Sequence, residues 1–126
     1  MMLSTKMLRE LWSGVKIFAA DKRKIDAEIR RGAWEASGKD VRECWFIRLR
    51  NLSDESLLVT RVWFESSPRA EVNRRQRRLP KALAPGEAWE TWLEVDKLPP
   101  DVREQAHELA RICLASGTVI RPQRSD

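Results

Sequence analysis

The sequence predicts a mainly β protein: a single antiparallel β-sandwich of about six to seven strands, preceded by an N-terminal amphipathic α-helix. Three observations carry this reading. After the first two dozen positions the hydrophobic period changes from that of a helix to that of a strand. The segments that follow are short, rich in β-branched and aromatic residues, and separated by frequent turn signals. No long helical pattern intervenes between them, as an alternating α/β sheet would require. At 126 residues the chain suits one folded unit, divided as helix 1–22 and sandwich 23–126.

Between Leu3 and Ala20 the residues Leu3, Met7, Leu8, Leu11, Trp12, Val15 and Phe18 recur three and four apart, the spacing of one helix face. Lys6, Arg9, Glu10, Ser13 and Lys16 fall mainly on the other face. Ser4 or Thr5 caps the start, and Gly14 costs about 1 kcal/mol relative to alanine in mid-helix. Lys22, Arg23 and Lys24 suit the negative C-terminal end.

In "KIDAEIRRGAW" the period is two, with Ile25, Ala27 and Ile29 alternating with Asp26, Glu28 and Arg30. In "VRECWFIRLRN" the residues Trp45, Ile47 and Leu49 alternate with Phe46, Arg48 and Arg50. "NLSDES" is a polar connection of hairpin size. "LLVTRVWFES" follows, with Leu58, Val62 and Phe64 on one side and Leu57, Val59 and Trp63 on the other, so it is placed centrally or beneath the N-terminal helix. Pro85 and Gly86 make a turn into a strand near Ala88, in which Trp89, Thr91, Leu93 and Val95 share one face and Glu90, Trp92 and Glu94 the other. Trp89 is therefore assigned to the core, and Trp92 to a face where a covering helix or a partner must bury its ring. "LPPDVREQAHE" reads as a connection with one helical turn, and "LARICLASGTVIR" as two short strands joined across Ser116 and Gly117.

The combination of "LRNLSDESLLVTRVWF", the "LAPGE" turn and the closing "LASGTVIR" hairpin is similar to bacterial immunoglobulin-like β-sandwich domains of the adhesion-related type. It also resembles small bacterial proteins that place a helical or membrane segment before such a sandwich. The likeness spans roughly Ile25 to Arg121. It implies a fold and a binding or spacer role, and almost no chemistry. Cys44, Trp63 and Cys113 follow the cysteine, tryptophan, cysteine order of antibody-type domains. Strand parity nevertheless turns both thiols away from the core, which argues against a bridge, and the chain has no tyrosine for the usual corner.

Composition narrows the function classes. Apolar residues are 42% and charged residues 34% of the chain, and no run approaches the ~20 apolar residues of a spanning helix. Arg9, Glu10 and Lys16 interrupt any secretory signal, so a cytoplasmic location is expected. Between Ser66 and Ala82 six basic residues face a single acid, which accounts for the whole net charge of +5. His107 is the only histidine, and two distant cysteines give no zinc spacing. No nucleotide-binding glycine loop is present. The expectation is accordingly a protein that is not an enzyme and takes no cofactor, metal or small-molecule substrate.

The leading functional reading is an interaction or accessory module for a protein partner, or a homodimer, since six tryptophans exceed what one small core readily buries. Arg74, Arg75, Arg77 and Arg78, with Trp12 and Trp92, are the candidate partner-binding residues. A second reading is a nucleic-acid-associated protein whose arginine segment, residues 69–81, neutralises phosphates. That segment has no aromatic residue to stack on bases, and its plain alternative is a solvated connection whose charges discourage edge-to-edge aggregation. A third reading has the N-terminal helix on a membrane surface through Trp12, Phe18 and the basic triplet. The same helix is also read as packing on its own domain, where covering Trp63 or Trp92 would be its role.

Overall fold

The computed structural model describes residues 24–35, 41–72 and 78–125. The expected N-terminal helix with Trp12, and the arginines Arg74, Arg75 and Arg77, lie outside these residues. The strands are β1 (Ile25–Glu35), β2 (Val41–Asn51), β3 (Leu57–Phe64), β4 (Ala70–Glu71), β5 (Lys81–Leu83), β6 (Ala88–Glu94), β7 (Ala110–Leu114), β8 (Val119–Ile120) and β9 (Gln123–Arg124). They form two sheets, one ordered β6-β2-β1-β9 and one ordered β4-β3-β7-β8, with β5 also on β3.

The alternation read from the sequence builds the layer between the sheets. Ile25, Ala27 and Ile29 of β1 and Trp45, Ile47 and Leu49 of β2 face inward from one sheet. Val59, Val62, Phe64, Ile112, Leu114 and Ile120 meet them from the other in one continuous cluster. Each fully buried aliphatic or aromatic side chain is worth about 1.5–3 kcal/mol relative to exposure, so this shared layer holds the two sheets face to face. In the "LAPGE" turn Gly86 takes a φ of 82°, the left-handed region that glycine enters without strain. The turn delivers β6 to β2 with Thr91 opposite Ile47, Leu93 opposite Trp45 and Trp89 opposite Leu49. Trp89 is half-buried against the core, as its parity requires.

Four features differ from the sequence reading. The connection of hairpin size after β2 joins strands of different sheets, because a polar link of this length can also cross the ~10 Å between packed sheets. In β3 the register shifts between Val59 and Arg61, and the bulge puts both Val59 and Val62 in the core, so the expected division of that strand into faces is corrected from the bulge onward. Thr60, at the bulge, donates its hydroxyl to the Cys113 carbonyl at 3.0 Å. The pairing is not wholly antiparallel, since β9 runs parallel to β1 with Glu28 opposite Gln123. Finally, four of the nine strands have only two or three residues, too few to show a period of two.

Where one helical turn is expected before β7, the structure has a longer 3-10 helix of nine residues, Pro100–Glu108, which begins on Pro100 and buries Ala106. Trp45 donates its indole N–H to the Arg103 carbonyl of this segment at 3.0 Å and stacks on His107, with ring centres 5.6 Å apart. The segment thereby closes the end of the sandwich beside Trp45.

Cys44 and Cys113 are free. They point from the outer faces of different sheets, so the thickness of the sandwich separates them. Intact mass should be the same with and without reductant, and a gain in mass on reduction of the native protein would contradict this placement.

Candidate functional site

The outer face of the four-stranded sheet is where the structure gathers aromatic residues. The register sets Phe46 between Arg30 and Trp92, and sets Cys44 opposite Gly32 and Glu94. Phe46 and Trp92 lie 6.1 Å apart at 43°, and Trp34 lies 5.7 Å from Trp92 at 35°. Both are tilted geometries of the kind aromatic pairs prefer. The Arg30 guanidinium stacks 4.8 Å above the Phe46 ring and reaches Glu90 at 3.4 Å. A Cβ at Gly32 would stand 3.0 Å from the Phe46 ring, so the missing side chain is what lets this ring lie flat on the sheet. Cys44 is fully buried in the same cluster, while Trp34 remains 37% exposed.

Trp92, a candidate from the sequence, is therefore half-buried by Phe46 and Trp34 of its own sheet. Those two partners were missed. The available signal was Phe46 itself, an aromatic residue on the otherwise arginine-lined side of β2. Around the cluster the face is electrically balanced: Asp26, Glu28, Glu90 and Glu94 match Arg30, Arg42, Arg48 and Arg50. Arg42 and Glu94 pair directly at 2.6 Å.

The outer face of the five-stranded sheet has a different character. Trp63 is 8% exposed, with the guanidiniums of Arg61 and Arg69 each 5.2 Å from its ring, and its indole N–H donates to Glu65. Arg61 binds Glu71 through two nitrogens at 2.9 and 3.1 Å. That fork holds the Arg61 guanidinium above its ordinary pKa, first through the hydrogen bond and then through the carboxylate charge. Trp63 is thus covered by arginine side chains. On β7 Arg111 lies opposite Trp63 and donates to the carbonyls of Glu108 and Ala110. Arg78, the one described member of the candidate arginines, takes a φ of 58° shortly before β5. This left-handed conformation costs an arginine about 1–2 kcal/mol.

At the closed end, Arg31 spans Glu104 and Glu43, each at 3.0 Å, and the Glu104 hydrogen bond is the largest reason its guanidinium stays above the ordinary value. His107 meets Arg124 at 3.4 Å. The shallow groove beside it is lined by Val41, Arg42, Glu43, Val95, Asp96 and Arg103. Its two arginines and Glu43 are spent on neighbours: Arg42 on Glu94, Glu43 on Arg31, and Arg103 on the Leu98 and Asp96 carbonyls. Among the described residues no three histidine, cysteine or carboxylate side chains are grouped to hold a metal ion. Nor is any helix among them long and apolar enough to cross a membrane. No family model, curated protein or solved structure matches the chain.

Proposed function

We propose that the chain is an immunoglobulin-like β-sandwich that acts without catalysis as a protein-interaction module in the cytoplasm. The fold type is supported by the order of its strands: β6-β2-β1 in one sheet and β3-β7-β8 in the other, with the last strand returning parallel to the first. The compartment is supported by two free thiols, which persist where the environment is reducing. The observation that carries the function is the partly exposed cluster of Trp34, Trp92 and Phe46 on the outer face of the four-stranded sheet. Aromatic anchors ringed by charged residues are what a protein contact uses for affinity.

The partner this face fits best is a second copy of the chain. Its four acids and four arginines balance, so two such faces related by a two-fold axis can set each carboxylate against a guanidinium without net repulsion. Light scattering over a dilution series should show a mass approaching twice that of the 14.7 kDa chain. Trp34→Glu should return the protein to the single-chain mass and make its unfolding midpoint independent of protein concentration, while the variant still unfolds cooperatively because Trp34 lies outside the core. A single-chain mass for the unaltered protein up to its solubility limit would refute self-association through this face.

A further inference from the structure

We propose that the outer face of the five-stranded sheet, through Arg111 and Arg121 with Arg61 and Arg69 beside them, binds the phosphate backbone of duplex nucleic acid. This surface lies on the other side of the sandwich from the aromatic cluster and does not depend on the function proposed for that cluster.

Ile112 pairs with Ile120 and Cys113 with Val119, so continuing the register by one residue brings Arg121 opposite Arg111. Two like charges in directly opposed positions of a sheet work against its stability. Among the described residues no carboxylate lies within ion-pair distance of either guanidinium. Arg111 is half-buried, and its guanidinium is pulled below its ordinary value, first by burial and then by the charge of Arg121, with Glu65 opposing. The fold thus holds two adjacent cations whose repulsion an incoming anion would relieve.

The surroundings select the anion. The face carries Arg61, Arg69, Arg111 and Arg121 against Glu65 and Glu71, whereas the opposite outer face is neutral. An acidic protein partner would anchor best on an exposed aromatic ring, and the large apolar side chain that this face does expose, Leu58, is of a type that seldom carries binding energy. Here the one aromatic residue, Trp63, lies beneath two arginines. Nucleic-acid interfaces are instead polar and strongly positive, and the arginine fork matches the oxygens of a phosphate. With no exposed ring on which to stack a base, the duplex backbone is favoured over a single strand.

The test is fluorescence anisotropy of a labelled random-sequence DNA duplex with the full-length protein, titrated at several salt concentrations. Binding is expected at low salt, equal for unrelated sequences, and falling linearly on a logarithmic salt scale. Each phosphate contact contributes about 0.9 to that slope, so Arg111→Gln with Arg121→Gln should lower the slope by about two and weaken binding roughly sixtyfold at 0.1 M salt. Arg48→Gln on the opposite face should bind as the unaltered protein does. Should the double variant not fold, Arg121→Gln alone, at an exposed position, should lower the slope by about one. Absence of any anisotropy change at low salt would overturn the proposal. So would a glutamine variant with unchanged slope and affinity, or preferential binding of polyglutamate over the duplex.

Discussion

Replacing Trp45 by alanine is expected to destabilise the protein by about 3–5 kcal/mol, the usual cost of deleting a large buried aromatic side chain. Trp45 is 1% exposed and belongs to β2, the strand that β1 and β6 flank. Its ring stacks on His107 and carries the guanidiniums of Arg31 and Arg124 at 5.4 and 5.7 Å. Its N–H supplies the Arg103 carbonyl. Removing the indole therefore opens a cavity, unseats the 3-10 helix and leaves one carbonyl without its donor. Small domains have about 5–15 kcal/mol of stability in all, so the alanine variant should be partly unfolded at physiological temperature. Trp45→Phe keeps most of the apolar area and loses the donor, and should cost nearer 1–2 kcal/mol. Urea unfolding of the three proteins reads this directly as midpoint shifts at constant slope. A loss below about 1 kcal/mol for the alanine variant would mean that the indole does not close this end of the sandwich.

Asn51→Ala should cost about 2–4 kcal/mol although it deletes no apolar group, because four polar groups lose a bond at once. Asn51 is fully buried at the end of β2, where the chain crosses from one sheet to the other. Its side-chain amide donates to the carbonyls of Glu55 at 2.7 Å and Leu83 at 2.9 Å. Its Oδ1 accepts from the Ser53 backbone N–H at 2.9 Å and hydroxyl at 2.7 Å. Its backbone exchanges bonds with the "LAPGE" turn, donating to Glu87 and accepting from Gly86. One side chain thus ties the crossover to β5, and the backbone of the same residue holds the turn before β6. Ser53→Ala removes part of the same network and should cost about 1 kcal/mol. Equal losses for the two variants in urea unfolding would show that Asn51 is not the centre of the network.

Local periodicity made the long strands and the core legible. Ile25, Ala27, Ile29, Trp45, Ile47 and Leu49 alternate without interruption, and each lies where its parity puts it. The bulge at Thr60 was hidden because apolar residues occupy both faces of β3, so an inserted residue leaves no visible break in alternation. Asn51 was unreadable for a related reason: in sequence it opens a polar turn, and its burial arises from contacts with Leu83 and Gly86, more than thirty positions away. The aromatic cluster was half legible. Trp92 was placed on the correct face, but Trp34 and Phe46 joined it through a pairing register that no single strand encodes. Arg78 was named among the candidate arginines, yet the cationic row on the folded sheet is built from Arg61, Arg69, Arg111 and Arg121, scattered over sixty positions and joined by strand pairing.

The strand order also governs how fast the molecule reaches this state. Three antiparallel pairs are close in sequence, β1 with β2 in one sheet and β3 with β4 and β7 with β8 in the other. Pairing β2 with β6, β3 with β7 and β1 with β9 means closing loops of several dozen residues before the buried layer repays the lost chain entropy. Such non-local topologies fold over milliseconds to seconds, whereas helical bundles of similar size fold in microseconds to milliseconds. Each nascent hairpin spends that interval with its apolar side uncovered, which is when two half-made chains are most able to associate.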